Sequence, residues 1–381
     1  MHILVVNAGS SSLKLTVLDD ADEVVTAVTL PAPSGRVDED ALRSVVARAG
    51  PIGAVGHRVV HGGSYFTEPV LVDSQVVQRL EALSDLAPLH QPKSLRALEL
   101  VSRLLDGVPA VACFDTAFHS SVPPAAATYA IPEEWRRRWD LRRFGFHGLS
   151  HSYASRRAAQ LSGRPIGQLR IVSAHLGAGA SLAAVQAGRS VDTTMGFTPL
   201  EGLVMATRSG SVDPGLLLWL EEHVGMPPSE LASTLEHRSG LFGLTGTADM
   251  RAVLQAEAAG DPAATLAVAV YLHRLRAGIA SMAAAMGGLD VLVFTGGVGE
   301  RSPGIRWRAA EGLEFLGVKL GLEANEAPGP ADRELSATDD RELMSTGSEE
   351  GGPDAVRTFV VAAREDLEIA RGVREVIGGR W

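Results

Sequence analysis

Two stretches of this sequence, 168 residues apart, read as the same strand–turn–strand unit. Ile3-Leu4-Val5-Val6 is an apolar run that breaks at Asn7-Ala8-Gly9-Ser10-Ser11-Ser12 and resumes as apolar alternation from Leu13 to Leu18. Residues 170–186 repeat it: Asn7-Ala8-Gly9 aligns with His175-Leu176-Gly177, and Val17 with Val185. Glycine turns set between apolar strands predict a duplicated α/β domain whose halves each offer one turn to a ligand in a common cleft. Two unrelated hairpins are the alternative.

The 381 residues suffice for two or three domains, and 45% hydrophobic residues exclude a disordered or fibrous chain. With 45 acidic against 35 basic residues, the net charge of −10 disfavours nucleic acid and anionic membranes as partners. Any phosphate must therefore be held at a local site. A single cysteine excludes an internal disulfide framework and fits a reducing compartment. The first strand starts almost at once, without a basic leader. The most apolar stretch, 264–294, is interrupted by His273, Arg274, Arg276 and Asp290, whereas a bilayer span needs about 20 nearly uninterrupted apolar residues. The expectation is a cytoplasmic protein without a membrane partner.

Helical patterning predicts helices over 38–48, 74–86 and 94–105, separated by a glycine-rich block at 53–64. A buried strand is expected at 108–114. Further helices are expected over 216–224, 229–236 and 263–286, then a buried strand at 291–294 that runs into the glycine turn 295–300. The stretch 323–354, rich in Pro, Gly, Ser and acid, reads as a mobile loop or insertion. A strand at 358–362 and a helix at 366–377 close the chain.

Asn7, Gly9, Ser10, Ser12 and Lys14 together form an anion cradle of backbone N–H groups, hydroxyls and an ammonium, with Asn7 able to hold a metal-bound water. The spacing is not that of a Walker A loop, and a strand follows rather than a helix. His175-Leu176-Gly177-Ala178-Gly179 and Gly296-Gly297-Val298-Gly299-Glu300 are two further turns where small residues let the backbone approach a phosphate. Arg58 and Arg208 sit in glycine-bearing segments, where arginine's planar fork suits a carboxylate or phosphate as well as a structural ion pair. Asp115 follows directly on a buried strand, a common place for an active-site carboxylate. Cys113 reads as a small core residue. His57/His61 and His147/His151 share i,i+4 spacing but lack the rest of a zinc motif. His147, between Gly145 and Gly148, reads as a donor to a reacting oxyanion.

In order along the chain, Val5-Val6-Asn7-Ala8-Gly9-Ser10-Ser11-Ser12-Leu13-Lys14, Gly56-His57-Arg58-Val59-Val60-His61-Gly62-Gly63, Phe114-Asp115-Thr116-Ala117-Phe118-His119, Gly145-Phe146-His147-Gly148, Met195-Gly196-Phe197-Thr198-Pro199-Leu200-Glu201-Gly202 and Gly296-Gly297-Val298-Gly299-Glu300 resemble the acetate kinase family over nearly the whole chain. The resemblance implies duplicated actin/hexokinase/Hsp70-like (ribonuclease H-like) domains with an inter-domain active-site cleft. It divides the chain into 1–145 plus 367–381, carrying the carboxylate site, and 146–366, carrying the nucleotide site and dimer interface. It also implies a homodimer using ATP/ADP and Mg²⁺, with Mn²⁺ as an alternative, to phosphorylate a short-chain carboxylate.

By position, Asp115, His147 and Arg208 then match the catalytic residues. Arg58, with Val60, Leu89, Phe146 and Pro199, matches the substrate site. Lys14, Ser10, Ser12, the turn His175 to Gly179, Asp249-Met250-Arg251 and the turn Gly296 to Glu300 match the nucleotide site, and Asn7 and Glu365 the magnesium site. Departures are Ala178 for the family's Asn, Phe144 for Tyr and Ser211 for Asp. In addition, Arg364-Glu365-Asp366 replaces Asn/Thr-Glu-Glu, the segment before Gly56 is shorter, and the acidic loop at 339–354 is longer. Acetate is the expected acceptor. A propionate kinase of the same family, or a nucleotide-binding sensor that has lost transfer, is the alternative.

Overall fold

The computed structural model describes residues 1–9, 12–32, 38–86, 91–328, 332–337 and 355–378. The chain divides into two compact units: Met1–Ser120 with Phe146–Tyr153 and the chain from Arg364 onward, and Ser121–Gly145 with Ala154–Ala363.

The first unit is built on a six-stranded sheet of β1 (His2–Ala8), β2 (Ser12–Leu18), β3 (Val24–Pro31), β4 (Ile52–Val59), β5 (Val70–Leu71) and β6 (Ala110–Phe114), ordered β3-β2-β1-β4-β6-β5. Strands β1, β2 and β3 are antiparallel, while β1, β4 and β6 run parallel. The period-two rule explains the layering. Leu4, Val6 and Val55 face a core with Leu42, Val45, Ala97 and Val101 of the helices Glu39–Arg48 and Gln91–Leu104. Ile3, Val5 and Ala54 face the opposite core, closed by Ile369, Ala370 and Val373 of the helix Glu365–Gly378. Each such branched side chain taken from water contributes about 1.5–3 kcal/mol. The first part of the glycine-rich block 53–64 is strand β4. Its Gly56 is required by packing, since a Cβ there would lie 2.5 Å from Ile369 Cγ2 and 2.8 Å from Val373 Cγ2.

The second unit repeats this plan with β7 (Arg170–Leu176), β8 (Ala180–Gln186), β9 (Arg189–Thr193), β10 (Val291–Thr295), β11 (Arg333–Glu334) and β12 (Arg357–Val360), ordered β11-β12-β10-β7-β8-β9. Three antiparallel strands again lead into two parallel ones. The offset of 168 does not survive the turn. Gly9 N–H donates to Ser12 O, whereas Gly177 N–H donates to Gly179 O, so the second turn is one residue shorter. Val17 faces Leu4, and the residue that faces Val172 is Ala184, not Val185.

Other local expectations shift as well. The turn 295–300 becomes the helix Gly296–Arg301, and the helix expected over 74–86 ends at Ala82, followed by the single 3₁₀ turn Ser84–Leu86. Within 323–354, residues up to Glu326 belong to the helix Leu322–Glu326, and β11 pairs with β12. Residues 329–331 and 338–354 lie outside those described. No described helix is long and apolar enough to cross a membrane.

The first unit also buries four histidines, His57, His61, His119 and His151, and holds the first three as neutral rings. His57, His61 and His119 are at most 1% exposed, and burial pushes their pKa down to about 3, about 4 and about 4. The unfolded chain protonates these rings below about pH 6.5, so it binds more protons and stability falls as pH drops. Asp115, whose pKa burial raises to about 6, takes up a proton in the fold and offsets one of the three. Urea unfolding is therefore expected to lose about 2–3 kcal/mol per pH unit near pH 5. A flat profile between pH 7 and 5 would refute the neutral-histidine assignment.

Candidate active site

Because β1, β4 and β6 run parallel, their carboxyl ends bring together residues far apart in sequence, the usual place for a ligand site in such sheets. Asn7 lies near the end of β1 and Arg58 near the end of β4. Asp115 follows β6 directly, and its N–H donates to Val59 O at 3.1 Å. Arg58 Nε donates to Asp115 Oδ1 at 3.0 Å, its Nη2 to Asp115 Oδ2, and its Nη1 to Asn7 Oδ1 at 3.2 Å. Asn7 Nδ2 donates in turn to Glu365 Oε2 at 2.8 Å, and that oxygen lies 3.8 Å from Arg58 Nε.

The electrostatics follow from burial. Asp115 is 1% exposed, and its desolvation outweighs Arg58's attraction, lifting the carboxyl to about 6. Desolvation alone would lower the pKa of Arg58, but the charges of Asp115 and Glu365 outweigh it, so the guanidinium stays charged. One cation against two carboxylates leaves the ionised cluster with one negative charge. An oxygen-only pair, the Glu365 carboxylate and the Asn7 amide, fits a hard dication that takes its remaining ligands from water and phosphate. Among the described residues no group of three or more His, Cys, Asp or Glu could hold a metal.

His147 is held by its backbone. It has φ +56°, a conformation few non-glycine residues adopt, and such strain collects at functional positions. The next residue ties it to Asp115: Gly148 N–H donates to Asp115 O at 2.8 Å, and a Cβ at 148 would stand 2.2 Å from that oxygen. On the other side, Phe146 is buried, its carbonyl accepts from His119 Nε2 at 3.0 Å, and its ring lies 5.4 Å from that of His61. Val60 is buried in the same unit, whereas Lys14 is exposed on β2 opposite Asn7. Ser12 closes the first turn through its carbonyl, and Ser10 and Leu89 lie outside the described residues.

In the second unit, Arg208 is oriented by a partner the sequence did not reveal. Its Nε donates to Glu236 Oε1 at 2.7 Å and its Nη1 to Pro199 O at 3.0 Å. Glu236 is 9% exposed on the helix Pro228–His237, and its burial is the signal that sets it apart from an ordinary surface acid.

Strands β7 and β10 are paired through Thr295 and His175, so the turn after β7 and the start of the helix Gly296–Arg301 after β10 are neighbours. Gly177 and Ala178 of one, and Gly297 and Val298 of the other, border a cavity of about 530 Å³ together with Asp249, Met250 and Arg251. His175, Leu176, Gly179, Gly296, Gly299 and Glu300 do not line it. Glu300 Oε1 instead accepts from Ala363 N–H at 3.0 Å. Asp249 caps the helix Met250–Ala258, accepting from Arg251 N–H at 3.0 Å and pairing with the Arg251 guanidinium at 3.0 Å. Sequence reasoning missed the apolar wall of Leu241, Leu254 and Tyr271.

A duplicated sheet with a part-buried Arg–Asp–Asn–Glu cluster and glycine-rich strand ends beside a cavity is the frame of a phosphotransferase fold. Solved kinases share it: acetate kinase from Porphyromonas gingivalis (TM-score 0.86, 33% identity, 99% of each chain) and a propionate kinase from Francisella tularensis (TM-score 0.87, 32% identity, 98% of this chain and 99% of that one). Acetate kinase from Coprothermobacter proteolyticus is 43% identical over the whole of both chains. The sequence model of the Acetokinase family matches residues 36–346, and the chain belongs to that family of carboxyl-group phosphotransferases.

Proposed function

We propose that this protein transfers the γ-phosphoryl group of ATP to acetate, reversibly giving acetyl phosphate and ADP. The observation that carries this reading is the Arg58–Asp115–Asn7–Glu365 cluster, built round the buried Asp115, beside His147 in a chain of this family. An acetate oxygen forms a bond to the γ-phosphorus as the bond to the bridging oxygen of ATP breaks, and the electron pair leaves with ADP. The acceptor is already an anion, so no general base is needed, and catalysis is positioning plus positive charge. Arg58 grips the acceptor carboxylate, and the family resemblance assigns Val60, Leu89, Phe146 and Pro199 to its methyl group. Asp115 organises Arg58 rather than taking a proton. His147 and Arg208 stabilise charge on the transferring group. Gly177, Ala178, Gly297 and the 249–251 segment hold the nucleotide.

Asn7 and Glu365 would hold Mg²⁺, or Mn²⁺, which when bound neutralises phosphate charge. We further propose a homodimer in the cytoplasm. The exposed apolar side chains Leu216, Leu218, Trp219 and Val224 on one short segment support self-association.

The test is acyl-phosphate trapping with hydroxylamine, using ATP and Mg²⁺ with formate, acetate, propionate or butyrate. Hydroxamate is expected with acetate above the other acids, and lost in Asp115→Ala. Propionate giving the larger yield would favour the second reading, motivated by the propionate kinase neighbour. One methylene in an apolar pocket is worth about 1–3 kcal/mol. No product with any acid, despite ATP binding, would replace the kinase by a sensor and make Ala178→Asn the first reversion to test.

A further inference from the structure

The long helix Pro262–Ala285 presents Val268, Tyr271, Leu272 and Leu275 inward at i, i+3, i+4 and i+7, the stripe expected of a core helix. Tyr271 differs from its neighbours in carrying a polar atom. It is 4% exposed, its hydroxyl is shut off from solvent, and that hydroxyl has no hydrogen-bond partner among the described residues. Buried tyrosine hydroxyls are normally paired, because leaving one unpaired forfeits its hydration without return.

Tyr271 also borders the 530 Å³ cavity in the second unit. The walls of that cavity come from two groups of elements. The turn after β7 and the helix Gly296–Arg301 after β10 offer backbone N–H groups and small residues, suited to phosphate. The helices Gly240–Thr245 and Met250–Ala258 offer Leu241, Met250 and Leu254, suited to a flat apolar body. Asp249 and Arg251 are engaged with each other. A ligand that fills this space with a heterocycle against the apolar wall brings a polar edge to the wall that Tyr271 helps to form, and Tyr271 carries a buried hydroxyl without a partner.

We infer that Tyr271 reads the nucleotide's purine, its hydroxyl hydrogen-bonding the polar edge of the base. This rests on the nucleotide reading of the cavity and adds a specificity residue to it. The hydroxyl can donate to a ring nitrogen or accept from an exocyclic amine. It is closed off and unsatisfied in the empty protein, and it gains its partner as the Tyr271 side chain shifts toward the bound base.

The consequence is an unusual pairing of effects in Tyr271→Phe, which removes a single oxygen. The KM for ATP and the inhibition constant of adenosine, which has no phosphates, are expected to rise together by about three- to tenfold. At the same time kcat is unchanged and the nucleotide-free protein melts at the same temperature or about 2 °C higher. Unchanged KM and adenosine inhibition in a normally folded variant would overturn the inference. So would a rise in KM without a change for adenosine, which would put the contact at the phosphates, or a fall in melting temperature, which would make the hydroxyl structural. Failure of ATP and adenosine to bind the wild-type protein at all would overturn the nucleotide reading itself, a result separate from any comparison of the variant with wild type.

Discussion

Arg58→Ala is expected to lower kcat/KM for acetate by about a thousandfold and to destabilise the protein by about 3–5 kcal/mol. Both effects come from the same guanidinium. It donates to both oxygens of Asp115 and to Asn7 Oδ1, and lies 3.8 Å from Glu365. Its removal leaves a carboxyl that is 1% exposed without its cation. Asp115, already lifted to about 6, then rises further and becomes protonated at neutral pH. The acceptor carboxylate loses the contact proposed for it, and the cluster loses the charge that organised it. Arg58→Lys keeps the charge but not the planar fork, so it should recover stability more than activity. Acyl-phosphate trapping and urea unfolding on the two variants check this. Wild-type turnover in Arg58→Ala would remove Arg58 from the substrate site.

Arg208→Ala is expected to cut kcat by about 10³–10⁵-fold, the range of an arginine that stabilises a phosphoryl transition state. The KM for ATP should move by no more than about threefold. The structure gives the reason to expect a kcat effect, since Glu236 and the Pro199 carbonyl hold the side chain in one orientation before any ligand arrives. His147→Ala should behave alike, because its strained backbone places the imidazole without help from substrate. Steady-state kinetics in both substrates separate the cases. A raised KM with unchanged kcat would mean that the residue binds ground state and transition state equally.

Much of this was legible in the sequence, for identifiable reasons. Apolar runs flanking glycine turns are local signals, and they placed β1, β2, β7, β8 and β10. Asp115 was visible because it follows directly on a buried strand, and Arg58 because it sits among glycines and small apolar residues. The pairings were less legible. Nothing near Asn7 announces Glu365, because their bond depends on a helix packing back onto the first strands. Glu236 lies 28 residues from Arg208 on a helix that reads as surface. The glycine-rich block gave no sign of β4, where Gly56 serves a strand over which a helix passes too closely for any side chain. The register of β8 was misread by one residue because a turn's length is not fixed by its flanking pattern. Tyr271 reads as core in any periodicity, and only coordinates reveal that its hydroxyl is left without a partner.

The bond between Asn7 and Glu365 spans 358 positions, and that separation sets an order of events during synthesis. Strands β1, β4 and β6 can pair early, but one of their faces stays bare until the segment Glu365–Gly378 has been made and has folded back over it. Contacts of such long range are slow to form, and a bare sheet face invites association in the meantime. A chain stopped short of Glu365 would therefore lack more than Glu365 itself. It would carry Ile3, Val5, Ala54 and Val111 open to water, and its loss would register in a cell as aggregation before it could register as missing activity.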